Sequence, residues 1–106
     1  MKQSIREKLE NLKNRLEELN RFLASENATK NIDEYRKNSR EQAELGEIVA
    51  LFNKHKAAEN ALIEAQKLLN DPEMKELALL EIDDLNLEIE QAEQALQTLL
   101  IPKDEN

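Results

Sequence analysis

The clearest structural signal in the chain is the stretch SIREKLENLKNRLEELNRFL, residues 4–23. Its apolar side chains recur at alternating spacings of four and three, at Ile5, Leu9, Leu12, Leu16, Leu19 and Leu23. That spacing places them in one stripe of an amphipathic helix, as in a coiled-coil seam. Ser4 and Glu7 have the spacing of a capping box, so we predict a helix from about residue 4 to residue 25.

A second and longer helix follows. Asn31 and Glu34 repeat the capping spacing, and no breaker appears before Pro72, which predicts one helix over about residues 32–70. Gly46 lies within it and is the only glycine of the chain. The apolar stripe begins as Ile32, Tyr35, Leu45, Val49 and Phe52, then continues as Ile48, Leu51, His55, Ala58, Leu62, Ala65 and Leu69.

A third helix is predicted over about residues 72–100. Asp71 is a capping residue, and Pro72 is tolerated at the first helical position because its missing N–H is not needed there. Pro102 ends the helix. Its seam again alternates spacings of four and three, at Ala78, Ile82, Leu85, Ile89, Ala92, Leu96 and Leu99.

Short connectors make consecutive helices antiparallel neighbours. We therefore predict an all-α fold, an elongated, staggered three-helix antiparallel coiled coil with helices of about 4–25, 32–70 and 72–100. The two outer helices would overlap only at the middle of the long one. The thickest core is expected near Leu45, Val49 and Phe52.

The composition excludes several kinds of site. The chain has 106 residues, no Cys, one Gly and one His. Without Cys it has no disulfide framework and no thiolate metal site, and one glycine cannot make a phosphate-binding loop. Apolar runs such as residues 48–52 and 77–80 are far shorter than the roughly 20 residues that span a bilayer. The N-terminal residues carry charges where a signal peptide is apolar, so we expect no membrane partner and a cytoplasmic location.

Charge is distributed unevenly. The formal net charge is −8, with +3 in residues 1–40 and −9 in residues 71–106. Because acidic surface repels phosphate, nucleic-acid contact is expected only in the N-terminal half, and no independent DNA binding is expected.

The densest basic cluster is Arg36, Lys37 and Arg40, near the start of the second helix. Arg36 and Arg40 lie on one helical face, and the three are candidate contacts with RNA or a partner protein. The alternative is that these three side chains form a solvated face, in which each cation pairs with a carboxylate four residues away on the same helix. The available pairs are Asp33–Lys37, Lys37–Glu41 and Arg40–Glu44.

No residue pattern indicates catalysis. The third helix is rich in carboxylates, namely Glu81, Asp83, Asp84, Glu88, Glu90 and Glu93. They lack the spacing of a calcium loop, which favours a solvated face. His55 occupies a seam position and is expected to be a packed residue or, alternatively, a contact at a partner interface. The residues therefore predict an interaction module and not an enzyme, with no catalytic residue, cofactor or metal.

Some stretches are more specific than helical heptads. They are residues 1–5 (MKQSI), 39–41 (SRE) with Leu45, 71–78 (DPEMKELA) and 99–104 (LLIPKD). In order and spacing they resemble, over all 106 residues, the N-terminal domain of the bacterial peptide chain release factor 1 family, the class I type that reads UAA and UAG. The sequence departs from the family at Gln42, where relatives often have Tyr.

The resemblance implies a helical N-terminal domain at residues 1–101 and the start of a linker at residues 102–106, together roughly the first third of a longer factor. The family's Pro-x-Thr codon reader and Gly-Gly-Gln loop are absent here, which makes this chain non-catalytic. The implied partners are the stalk base of the large ribosomal subunit, the GTPase class II release factor and the factor's own downstream domains. Arg36, Lys37 and Arg40 are then expected to face the ribosome.

Two other functions remain open. One is a stand-alone coiled-coil scaffold that only pairs proteins. The other is a tRNA-binding helical arm like those of some synthetases, which the acidic residues 71–106 disfavour.

Overall fold

The computed structural model describes residues 1–101, which form three α-helices and no strand. Helix α1 spans Gln3–Leu23, α2 spans Ile32–Lys67 and is followed by one 3-10 turn at Leu68–Asn70, and α3 spans Lys75–Leu100. The predicted all-α class is confirmed, whereas the predicted elongation and stagger stay predictions. The predicted linker at residues 102–106 lies outside the described residues. The chain divides into an N-terminal unit, Met1–Ala50, and a C-terminal unit that begins at Leu51.

The start of α1 differs from the prediction. The helix begins at Gln3, because Lys2 has extended backbone angles and its carbonyl accepts the amide N–H groups of Ile5 and Arg6 at 3.1 Å. Ser4 is thus already inside the helix. A helical residue cannot act as N-cap, so the predicted capping box with Glu7 is wrong.

The start of α2 is as predicted. The amide of Glu34 donates a hydrogen bond to Asn31 Oδ1 at 3.1 Å, and Asp33 and Glu34 favour the positive end of the helix dipole. The helix continues without a break through Gly46, whose φ is not positive. Gly46 is therefore not required by the backbone conformation.

The third helix begins three residues later than predicted. Asp71 does not cap α3, whose N-cap residue is Met74; the Oδ1 of Asp71 accepts the N–H of Glu73 at 3.0 Å and its carbonyl accepts the N–H of Met74 at 3.1 Å. These bonds close a turn around Pro72. The first helical hydrogen bond of α3 is donated by the N–H of Ala78 to the carbonyl of Met74, at 2.8 Å.

In the N-terminal unit, α1 packs against the part of α2 that ends at Ala50. The buried side chains are Leu9, Leu19, Ala28, Leu45 and Val49. Ala28 belongs to the connector between the helices, where no core residue was expected. Ile32, expected in the apolar stripe, is instead half exposed.

In the C-terminal unit, α3 packs against the part of α2 that begins at Leu51. His55, early in this part of α2, lies beside Glu93, late in α3. Because only residues 68–74 join the two helices, this contact requires them to run antiparallel. The core contains many alanines, which let the helices approach closely. Its buried residues are Phe52, His55, Ala58, Ala65, Ala78, Leu85, Ala92 and Leu96. No helix within residues 1–101 is both long and apolar enough to cross a membrane.

Candidate functional site

Arg36, Lys37 and Arg40, called the basic cluster below, are all exposed on α2. Arg36 and Arg40 are about one helical turn apart, so they lie on the same side of the helix. Lys37 and Arg40 border a shallow surface depression together with Glu41 and Glu44. The structure thus brings the three predicted side chains onto one surface of the N-terminal unit.

The carboxylate of Glu41 is held by the neighbouring helix. Arg15 of α1 donates from Nε to Glu41 Oε2 at 2.9 Å and from Nη2 to Oε1 at 3.1 Å. These hydrogen bonds lower the pKa of Glu41 against the opposing effect of its partial burial, and the charges of Arg15 and Lys37 lower it further. The negative charge of Glu41 is therefore balanced mainly by Arg15 of α1.

The basic cluster is not paired along its own helix. Within residues 1–101 the structure records no ion pair from Arg36, Lys37 or Arg40 to a carboxylate. None of the i, i+4 pairs of the alternative interpretation reaches ion-pair distance in the described residues, although the charge of Lys37 still acts on Glu41. The three charges face solvent and can meet an anionic partner without first breaking an internal ion pair.

Gln42 also joins the two helices of the N-terminal unit. Its amide nitrogen donates to Asn20 Oδ1 at 2.6 Å. Together with the Arg15–Glu41 pair, this bond fixes the register of α1 against the segment that carries the basic cluster. Gln42 thus contributes a polar contact between α1 and α2.

His55 is a core residue of the C-terminal unit. It is 0% exposed, with Nδ1 3.3 Å from Glu59 Oε1 and Nε2 3.3 Å from Glu93 Oε1. These are ion-pair distances, but neither contact has hydrogen-bond geometry. Burial alone would raise the pKa of Glu93, but hydrogen bonding to this carboxylate and nearby positive charge lower it. The packed interpretation is confirmed, and the partner-contact interpretation is wrong because no partner can reach the ring.

The carboxylates of α3 lie mostly in solvent, as predicted. Glu81, Asp83, Asp84 and Glu90 are exposed. Within residues 1–101 no three His, Asp or Glu side chains converge in a way that could hold a metal ion.

Comparison with known proteins gives a family match for this chain. A family model described as the PCRF domain matches residues 12–106 of the chain. The matched range contains most of α1 and all of α2 and α3, and with them the basic cluster and the Arg15–Glu41 pair. No solved structure matches the chain.

Proposed function

Because the chain belongs to the PCRF-domain family of peptide chain release factors, we propose that it is the N-terminal helical docking domain of a translation termination factor that directs peptide release at UAA and UAG. Membership of the family gives the chain a role in translation termination. The family match over residues 12–106 is the observation that carries the proposal. The finer assignment to the UAA- and UAG-reading type is supported by the stretches DPEMKELA and LLIPKD.

In this proposal the chain acts by contact and not by catalysis. Its partner is the ribosome, at the stalk base of the large subunit, in the cytoplasm. Further partners are the GTPase class II release factor and the downstream domains of the same factor. Support for a contact role comes from the helices, whose exposed side chains offer charge and apolar surface.

The basic cluster is the proposed ribosome-facing surface. Its three cations point into solvent from a rigid helix whose position is fixed by Arg15–Glu41 and Gln42–Asn20. Phosphate contacts of this kind release counterions, so affinity falls as salt rises. They position a protein on RNA without reading its sequence, as a docking domain requires.

Charge reversal tests this assignment. The variant Arg36→Glu/Lys37→Glu/Arg40→Glu should bind ribosomes more weakly in co-sedimentation. The plot of log affinity against log salt should become less steep, its slope decreasing in magnitude by about two to three. This is one unit or slightly less for each lost phosphate contact. The helical circular dichroism should not change, because the three side chains are exposed.

The matched control changes the total charge equally at exposed sites elsewhere in the N-terminal unit, in Lys8→Glu/Arg21→Glu/Lys30→Glu. It should retain most of the binding. Equal losses in the two triple variants would show that only net charge matters, and would remove the basic cluster as a docking site.

Codon specificity is tested separately, in the complete factor that carries this domain. Release from ribosomes programmed with UAA or UAG should be fast and release at UGA slow. Efficient release at UGA would assign the chain to a different class of release factor and leave the docking proposal intact.

A further inference from the structure

A second apolar row runs along α3, on the side that faces away from α2. Leu77, Leu80 and Leu87 are 62%, 65% and 55% exposed. With Asp84 they follow spacings of three, four and three, which is the spacing of a coiled-coil seam. We call these four residues the outer seam. Single exposed leucines are ordinary on a protein surface, but here three of them share one heptad row, which only Asp84 interrupts.

Acidic side chains border the outer seam on both sides. At 100° per residue, Glu76, Asp83 and Glu90 form a row along one edge, and Glu81 and Glu88 lie along the other. All five belong to α3, and all except the half-buried Glu88 are exposed. In a coiled coil these are the flanking positions, whose charges select the partner helix.

We propose that the outer seam is a docking site for an amphipathic helix of another protein, with an apolar seam bordered by Lys and Arg. The leucines supply apolar area, and the acidic rows together with Asp84 select a basic partner. A second copy of this chain is a poor occupant, because its own acidic rows would face those of the first copy. This site belongs to the C-terminal unit, and its function does not depend on the basic cluster.

A synthetic peptide tests the site directly. The probe is a fluorescent three-heptad helical peptide with Leu at its seam positions and Lys at its flanking positions, titrated with the 106-residue chain and followed by anisotropy. A twin peptide with Glu in place of Lys should bind at least about tenfold more weakly. Raising the salt concentration should weaken binding of the Lys peptide, because salt screens the attraction between surface charges.

Variants of the chain locate the binding. Leu80→Gln/Leu87→Gln should lower the affinity for the Lys peptide at least about tenfold, in the range found for central interface residues. Leu79→Gln is the matched control, since Leu79 is 47% exposed on the same helix but lies roughly 120° away from the outer seam. It should leave the affinity unchanged. All three side chains are exposed, so the variants should fold normally, as circular dichroism would check.

Exchange of charge gives the sharpest test. Asp83→Lys/Glu90→Lys should reduce binding of the Lys peptide and increase binding of the Glu peptide. The proposal is overturned if Leu79→Gln and Leu80→Gln/Leu87→Gln have equal effects, or if a scrambled Lys peptide without a seam binds equally well. It is also overturned if sedimentation shows a dimer of the chain that Leu80→Gln/Leu87→Gln dissociates, because a second copy then occupies the face.

Discussion

The close packing of α2 on α3 predicts how the C-terminal unit responds to changes in side-chain size. Ala58 and Leu85 belong to one buried cluster, with Ala65 and a border of half-buried apolar residues. A small residue on α2 and a large one on α3 therefore share one closely filled space. Substituting each in turn, and then both, measures how tightly that space is filled.

The expected magnitudes follow from these burials. Ala58→Leu adds three carbon atoms to a filled core and should cost about 1–3 kcal/mol of unfolding free energy. Leu85→Ala removes a nearly buried side chain and should cost about 2–5 kcal/mol. The double variant restores the total volume, so its cost should be smaller than the sum of the single costs by at least about 1 kcal/mol.

Urea unfolding followed by circular dichroism gives these free energies, and amide exchange shows whether the loss lies in α3. The control is Ala57→Leu, an exposed alanine next to Ala58, which should change stability by no more than about 0.5 kcal/mol. The reasoning is refuted if Ala58→Leu is as mild as Ala57→Leu, or if the double variant costs the full sum of the two single changes.

Two further predictions concern the N-terminal unit. Gly46→Ala should raise the unfolding free energy by up to about 1 kcal/mol in urea denaturation, since Ala favours helix and an added Cβ would meet no atom within 4 Å; a loss of stability would contradict an unstrained helix there. The pKa of Glu41 is lowered in the folded chain by Arg15, so this contribution is complete above the ordinary glutamate pKa of 4.5 and is lost as pH falls through the folded value. Melting temperature should therefore fall less steeply in acid for Arg15→Gln than for the parent chain, and identical acid slopes would show that the pair contributes nothing.

The buried seam of α3, which packs against α2, could be predicted from the sequence because it depends only on local spacing. Ala78, Leu85, Ala92 and Leu96 are buried as the heptad pattern requires. The predicted end of α3 was also right, at Leu100. Its start was not, because Asp71 and Pro72 suit an isolated turn as well as a helix.

The surroundings of the basic cluster could not be predicted in the same way. The i, i+4 rule applies only to side chains of the same helix, and it suggested that Lys37 pairs with Glu41. In the structure Arg15 of the other helix binds that carboxylate. Such a contact depends on the register between α1 and α2, for which spacing within either helix carries no signal.

The outer seam was missed for a different reason. In α3 the alanines Ala78 and Ala92 are buried while Leu77 and Leu80 are exposed, the reverse of what side-chain hydrophobicity alone favours. Two seams with the same spacing lie on one helix. Only the packing against α2 shows which of them forms the core and which is left for a partner.

Site-directed crosslinking tests the proposed docking role most directly. A photo-crosslinking amino acid can be incorporated genetically at one position, in place of Lys37 or, as the control, in place of Lys67, both exposed lysines of α2. With the complete factor bound to a ribosome at a UAA codon, position 37 should crosslink to the stalk base of the large subunit and position 67 should do so much less. Crosslinks from position 37 to the small subunit alone, or equal stalk-base crosslinks from the two positions, would contradict the account.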